Sequence, residues 1–321
     1  MKILITGGAG FIGSNLVRYI NEHEPRAELV VIDNFSTGHA ENLSERLVHV
    51  VEGSVLDEAA LHIAMEGVDS VVHLGALGSV PRSVARPLQS HHANATGTLN
   101  VLEAARQHGV KHVLMSSSSS VYGSNPILPK SETDWTRPVS PYAASKLAAE
   151  SYTIAYGRTY GMQTLAFRFF NVYGPGQRAG HAYAAVIPKF LDAALRGEPL
   201  EVHGDGLQSR DFTYVDTVCE VLLAACQQQL SWESPVNLAF GSNSTLLEVI
   251  AALESAMDQK LAVSHHESRT GDVRASRSDG RLMKELFPDV KPVDLQTGIQ
   301  RTLKWFKQGD RTGVTGAQHS A

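Results

Sequence analysis

The chain has 321 residues, 43% hydrophobic and 19% charged, which is enough apolar material for a full core in one large or two ordinary domains. A formal net charge of -5 leaves no basic face to draw a phosphate backbone, so nucleic acid is excluded as an expected partner. Nowhere do eighteen apolar residues run together and no leader-like N-terminal segment occurs, so the expectation is a cytoplasmic protein with no membrane partner.

Lys2–Thr6 reads as a buried strand that runs into Gly7-Gly8-Ala9-Gly10-Phe11-Ile12-Gly13, a GxxGxxG loop opening a helix from Gly13 to Glu22. Gly7 permits the tight turn, Gly10 lets backbone approach a pyrophosphate, and Gly13 allows close packing. Phe11 and Ile12 carry the first amides of a helix N-terminus that attracts phosphate. The next strand, Leu29–Asp33, ends on a carboxylate twenty residues beyond Gly13, where it can accept bonds from an adenosine ribose. Asp33 repels a 2′-phosphate and neither Asn34 nor Phe35 offers an arginine, so NAD is favoured over NADP.

Strands follow at Val48–Glu52, Ser70–Leu74, His112–Ser116 and Gln163–Arg168, with helical spacing over Ala93–His108 and Tyr142–Tyr160. That alternation predicts an α/β chain, a Rossmann-type doubly wound parallel sheet over residues 1–170. The serine run Ser116–Ser120 precedes Val121-Tyr122-Gly123. Tyr142-Ala143-Ala144-Ser145-Lys146 puts a phenol and an ammonium on one helix face. A tyrosine with a pKa near 10 is a poor base at neutral pH, but a neighbouring ammonium and a nicotinamide charge stabilise its phenolate, so that it can take an alcohol proton as hydride leaves.

Beyond residue 170 the pattern loosens, with Gly and Pro frequent around Asn171–Gly180 and Gly204–Gly206 and a last helix near Val293–Lys307. Residues 171–308 are expected to form a smaller substrate lobe, some of whose segments return to the sheet, and 309–321 a tail. Cys219 and Cys226, at i and i+7 in an apolar stretch, read as core thiols and not a disulfide. No metal site is expected.

The segments GGAGFIGS, HLGALGSVPRSV, SSSSSVYG, PYAASK, RFFNVYGPGQ and GDGLQSRDFTYVD together resemble the NAD-dependent epimerase/dehydratase family, the extended short-chain dehydrogenases acting on nucleotide sugars, from about Lys2 to Lys307. The resemblance implies that Ser118 hydrogen-bonds the reacting hydroxyl, with Ser117 and Ser119 as neighbours, and that Tyr142 and Lys146 also contact the cofactor. It assigns Ser79 to the substrate side, Asn171 to a diphosphate or sugar contact and Arg210 to the diphosphate, roles that suit an amide and a guanidinium fork. Arg269 and Asp272 would hold a phosphate and the nucleoside ribose, and the Val202 backbone with His203 would flank uracil. Ser276 falls at the hexose wall, where a small residue implies UDP-GlcNAc. The chain departs from the family at Ser54, where an acidic adenine contact is usual, at Gly75 and Leu77 beside the sugar, and at Ser119-Ser120, where dTDP-glucose 4,6-dehydratases carry Asp-Glu.

The leading expectation is redox-neutral 4-epimerisation of a UDP-sugar through transient C4 oxidation. The alternative is 5,6-elimination to an exo-glycal, as in the tunicamycin-pathway UDP-GlcNAc 5,6-dehydratase branch, with Tyr122 as a proton-transfer candidate. A non-catalytic NAD sensor is the remaining reading. A homodimer is expected through the Ala93–His108 and Tyr142–Tyr160 helices, which show more than one apolar stripe.

Overall fold

The computed structural model describes residues 1–180, 184–267 and 274–311. Strands β1 (Lys2–Thr6), β2 (Glu28–Asp33), β3 (His49–Glu52), β4 (Ser70–His73), β5 (His112–Ser118) and β6 (Gln163–Phe169) pair in parallel with strand Val236–Leu238. The order is Val236–Leu238, β6, β5, β4, β1, β2, β3, so chain direction across the sheet reverses between β1 and β4. This is a Rossmann-type sheet, and ligand crevices in such sheets open at the carboxyl ends beside that reversal.

Alternation along the strands separates two apolar layers. Ile3, Ile5 and Val31 face helices α1 (Phe11–His23) and α8 (Val215–Gln228), whereas Leu4, Val30 and Ile32 face α2 (Glu58–Ala64) and α5 (Gly97–Gln107). Each such side chain removed from water contributes about 1.5–3 kcal/mol. Short helices α3 (Val80–Ala85) and α4 (Pro87–His91) lead through a π-turn, His92–Thr96, into α5. The twenty-residue α6 (Pro141–Tyr160) starts with Ser140 capping the Ala143 amide and Pro141 in its first turn, and stops at Gly161 in the left-handed region.

The third apolar layer belongs to the lobe, where α7 (Val186–Leu195), α9 (Leu246–Met257) and α11 (Leu295–Arg311) enclose Leu191, Val202, Leu253 and Ile299. Helix α10 (Arg281–Leu286) returns to the sheet layer through Met283. Chain order and spatial halves therefore do not coincide, because strand Val236–Leu238 and α8 come back to the sheet from beyond residue 170. Cys219 and Cys226 lie on α8 as free buried thiols, and burial pushes both upward in pKa, Cys226 to about 12. Among the described residues no helix is long and apolar enough to cross a membrane, and no cluster of metal-ligating side chains occurs.

Candidate active site

A cleft of about 500 Å³ opens at the carboxyl ends of β1, β2, β4 and β5 and brings together Gly7, Gly10, Phe11, Ile12, Gly13, Asp33, Asn34, Ser118, Tyr142 and Lys146. Gly7 has φ +69°, and a Cβ there would lie 2.8 Å from the Gly75 backbone. At Gly13 a Cβ would lie 2.3 Å from the Gly7 carbonyl oxygen, so helix and loop could not close together. No side chain caps the N-terminus of α1 at Gly10, which leaves its first-turn amides facing a cradle suited to pyrophosphate. Asp33 fastens this loop to β2, with one carboxylate oxygen accepting from the Ala9 amide at 2.9 Å and the other from Phe35 at 2.8 Å. Each oxygen keeps a lone pair that a ribose hydroxyl can use. Asn34 is exposed beside it and bonds Ser36, and Ser54 bonds the Leu56 amide within its own turn.

The helix α6 turns one face toward β5. There Tyr142 and Ser118 line the same cleft, and Lys146 Nζ donates to the Ser116 carbonyl oxygen at 2.6 Å. Burial raises the Tyr142 pKa and Ser118 opposes that rise. Burial lowers Lys146 to about 8, so its ammonium persists at neutral pH and loses its proton as pH rises through that value. In this geometry the ammonium is seated on backbone, and Ser118 is the hydroxyl that lines the cleft with the phenol. A hydroxyl, a phenol and an ammonium at the mouth of a dinucleotide cradle can remove a proton from a secondary alcohol.

Beneath them lies His73, fully enclosed, whose pKa falls to about 3 through burial and the Lys146 charge. Thr98 Oγ1 spends its proton on the Asn94 carbonyl oxygen at 2.6 Å, so it can only accept from His73 Nε2 at 2.9 Å. Nδ1 then accepts from Thr6 Oγ1 at 2.7 Å, and that oxygen in turn accepts from the Gly75 amide at 2.9 Å. Since the unfolded ring protonates near its ordinary value and the folded ring only near 3, stability is lost as pH falls below about 6.5. From pH 7 to 5 this ring should remove about 2 kcal/mol. Urea unfolding at the two pH values should show a smaller difference for His73→Asn than for the unaltered chain, and equal differences would refute it.

The second cleft, about 700 Å³, adjoins the first at Val172 and is lined by Asn171, His203 and Arg210. Asn171 Nδ2 donates to the Asp211 carbonyl oxygen at 3.2 Å, and the half-buried Arg210 begins a segment pinned by Asp211. That buried carboxylate, raised in pKa by its burial, accepts from the Gly241, Ser242 and Ser278 amides and from the Ser242 hydroxyl. Val202 buries its side chain in the lobe core, leaving backbone beside His203, whose Nδ1 pairs with the Glu267 carbonyl oxygen at 3.1 Å. Ser276 is half-buried in a short strand in register with Arg210. Ser79 does not line either cleft; it caps α3 through the Arg82 amide at φ +135°. Arg269 and Asp272 lie outside the described residues.

One expectation is corrected. Tyr122 does not reach either cleft: it is 1% exposed and its hydroxyl donates toward Asn237 Oδ1 at 2.7 Å and the Ser131 carbonyl oxygen at 3.0 Å. Its pKa is pushed up to about 12 by burial, which ill suits a proton shuttle. The apolar bulk of its ring decided its place: it packs against Phe170 and under the Arg168 guanidinium.

Glu150 and Asn94, outside every motif segment, also shape the site. Ser117 donates to Glu150 at 2.6 Å, and Glu150 forms a two-pronged pair with Arg168 at 2.7 and 3.0 Å, both side chains 4% exposed. The available signal was Glu150 lying four residues beyond Lys146, on the same face of α6. Asn94 joins the Leu77 amide at 2.7 Å to the Ser145 hydroxyl at 3.0 Å, tying the altered wall segment to α6.

Comparison with known proteins gives a consistent picture. The model of the NAD dependent epimerase/dehydratase family matches residues 3–239. The UDP-glucose 4-epimerase of Mycolicibacterium smegmatis is 34% identical over 314 residues, covering 96% of this chain and 99% of the relative. Among solved structures, a UDP-N-acetylglucosamine 4-epimerase from Methanobrevibacter ruminantium, in complex with UDP-N-acetylmuramic acid, has a TM-score of 0.89 at 35% identity over 96% of this chain and 98% of that one. The NAD-dependent NDP-hexosamine 5,6-dehydratase TunA, involved in tunicamycin biosynthesis, has a TM-score of 0.85 at 32% identity over 96% and 98%.

Proposed function

The chain belongs to the NAD-dependent epimerase/dehydratase family and is an NAD-dependent enzyme of the nucleotide-sugar 4-epimerase/dehydratase kind, and from that premise we propose that it epimerises UDP-GlcNAc at C4 without net oxidation. The observation that carries the reading is the meeting of Ser118, Tyr142 and Lys146 in the same cleft as the glycine loop and Asp33. NAD held there supplies a reversible hydride acceptor. Tyr142 would take the O4 proton as C4 is oxidised, with Ser118 beside the phenol and Lys146 keeping positive charge close by. The 4-keto sugar would turn over while Asn171 and Arg210 hold the diphosphate, the resemblance assigning Arg269 and Asp272 to a phosphate and the ribose. Tyr142 would return its proton to O4, and the bound cofactor would supply the hydride to the other face of C4. Val202 and His203 would flank the uracil, and the small Ser276 leaves room for a 2-acetamido group; likeness to the Methanobrevibacter epimerase supports that sugar.

A second reading, 5,6-elimination, is favoured by the likeness to TunA and by the altered Gly75–Leu77 wall. It is weakened by the core position of Tyr122. Incubating the purified protein with UDP-GlcNAc in deuterated water, without added cofactor, separates the readings. Proton NMR is expected to show the 4-epimer with C5 still protonated, and nicotinamide absorbance should show no lasting reduced cofactor. Loss of the C5 hydrogen would establish elimination, and stoichiometric reduced cofactor with a released oxidised sugar would overturn both.

We read residues 1–170, with the returning segments, as the cofactor half, 171–308 as the substrate lobe, and the protein as a cytoplasmic homodimer joined through α5 and α6. Tyr152 and Tyr160 on α6, and Val84 and Leu88 just before α5, leave apolar surface that a partner would cover. Light scattering at micromolar concentration should give twice the 34.7 kDa chain mass, and a monomer mass would contradict it.

A further inference from the structure

The serines of the run Ser116–Ser120 differ in their hydrogen-bond partners. Ser116 Oγ donates to the His73 carbonyl oxygen at 3.1 Å and Ser117 Oγ to Glu150 at 2.6 Å. Ser118 Oγ instead accepts twice from one residue, from the Ser120 amide at 3.2 Å and from the Ser120 hydroxyl at 2.9 Å. A serine hydroxyl has two lone pairs and one proton. With both lone pairs of Ser118 taken by Ser120, its only remaining capacity is to donate, and the phenol that lines the same cleft beside it is that of Tyr142.

We propose that Ser120 is a positioning residue that fixes Ser118 as a one-way hydrogen-bond donor to Tyr142. Ser120 does not line the cleft, and it acts through Ser118. The 3-10 turn Ser119–Tyr122 at the end of β5 makes this possible, because it folds the chain back so that residue 120 meets residue 118. A donor aimed at the phenol oxygen favours the phenolate over the phenol. Without the Ser120 hydroxyl, one lone pair of Ser118 is free to accept from the neutral phenol, and the preference for the phenolate weakens. Ser120 thus helps offset the upward push that burial gives Tyr142. The inference rests on the reading of Tyr142 as the proton acceptor.

The test compares the unaltered chain with Ser120→Ala and Ser120→Thr, each loaded with NAD. One arm follows kcat and KM for UDP-GlcNAc against pH. The second titrates ultraviolet phenolate absorbance, taking the difference from Tyr142→Phe to isolate one tyrosine, and needs no substrate. For Ser120→Ala the acid limb of kcat and the Tyr142 titration should both move up by about 0.5–1 pH unit, with KM unchanged and kcat three- to tenfold lower at pH 7, as loss of about one hydrogen bond implies. Ser120→Thr, which keeps the hydroxyl, should restore both curves. A uniform fall in kcat with both midpoints unmoved, or a failure of threonine to rescue, would overturn the proposal. A shifted phenolate titration in a chain that does not turn over UDP-GlcNAc would uphold this role for Ser120 and place the failure in the substrate reading alone.

Discussion

Tyr142→Phe is expected to lower kcat by roughly 10²–10⁴-fold, the range ordinarily supplied by one positioned acid–base group. The substitution removes a single oxygen from a half-buried ring whose hydroxyl meets Ser118, and the ring itself keeps its place on α6. Folding should therefore be spared, with a thermal midpoint within a few degrees of the unaltered chain, and NAD should still bind because the glycine loop and Asp33 are untouched. Since the lost group acts in the transition state, kcat and kcat/KM should fall together. Isothermal titration with NAD beside steady-state kinetics checks both halves. Activity within a few-fold of the original would remove Tyr142 from the proton-transfer step.

Glu150→Ala carries the largest expected cost in stability. It leaves the Arg168 guanidinium in an interior where both partners are 4% exposed, and it also takes away the acceptor of Ser117. A buried pair broken on one side costs about 3–5 kcal/mol, because the charge left behind has no solvent. For a chain of this size that corresponds to a fall of about 4–7 °C in Tm. The double change Glu150→Leu with Arg168→Met should recover most of the loss, since neither charge then remains buried. Calorimetry of the single and double variants decides the matter, and a single-variant loss below about 1 kcal/mol would show that water or another group reaches Arg168.

Local chemistry in the sequence was enough for the parts of the site that lie within one turn or one helix. The glycine spacing dictates a loop that only residues without a Cβ can close, as the 2.3 Å approach at Gly13 makes plain. The i, i+4 spacing puts Tyr142 and Lys146 on one face whatever else surrounds them. Strand alternation likewise determined the two apolar layers over Lys2–Thr6 and Glu28–Asp33. Period alone does not say which distant segments meet. Thus only the tertiary structure decided that Val236–Leu238 pairs with β6 across the sheet edge, that Asp211 gathers the loops at Gly241 and Ser278, and that Arg168 finds Glu150. Tyr122 shows the same division: its VYG setting points to chemistry, yet its hydroxyl is taken by Asn237, a residue 115 positions away. A hydroxyl's role is set by which partner fills its lone pairs and receives its proton, and for Tyr122 that partner is delivered by the fold, whereas for Ser118 it stands two residues along the chain.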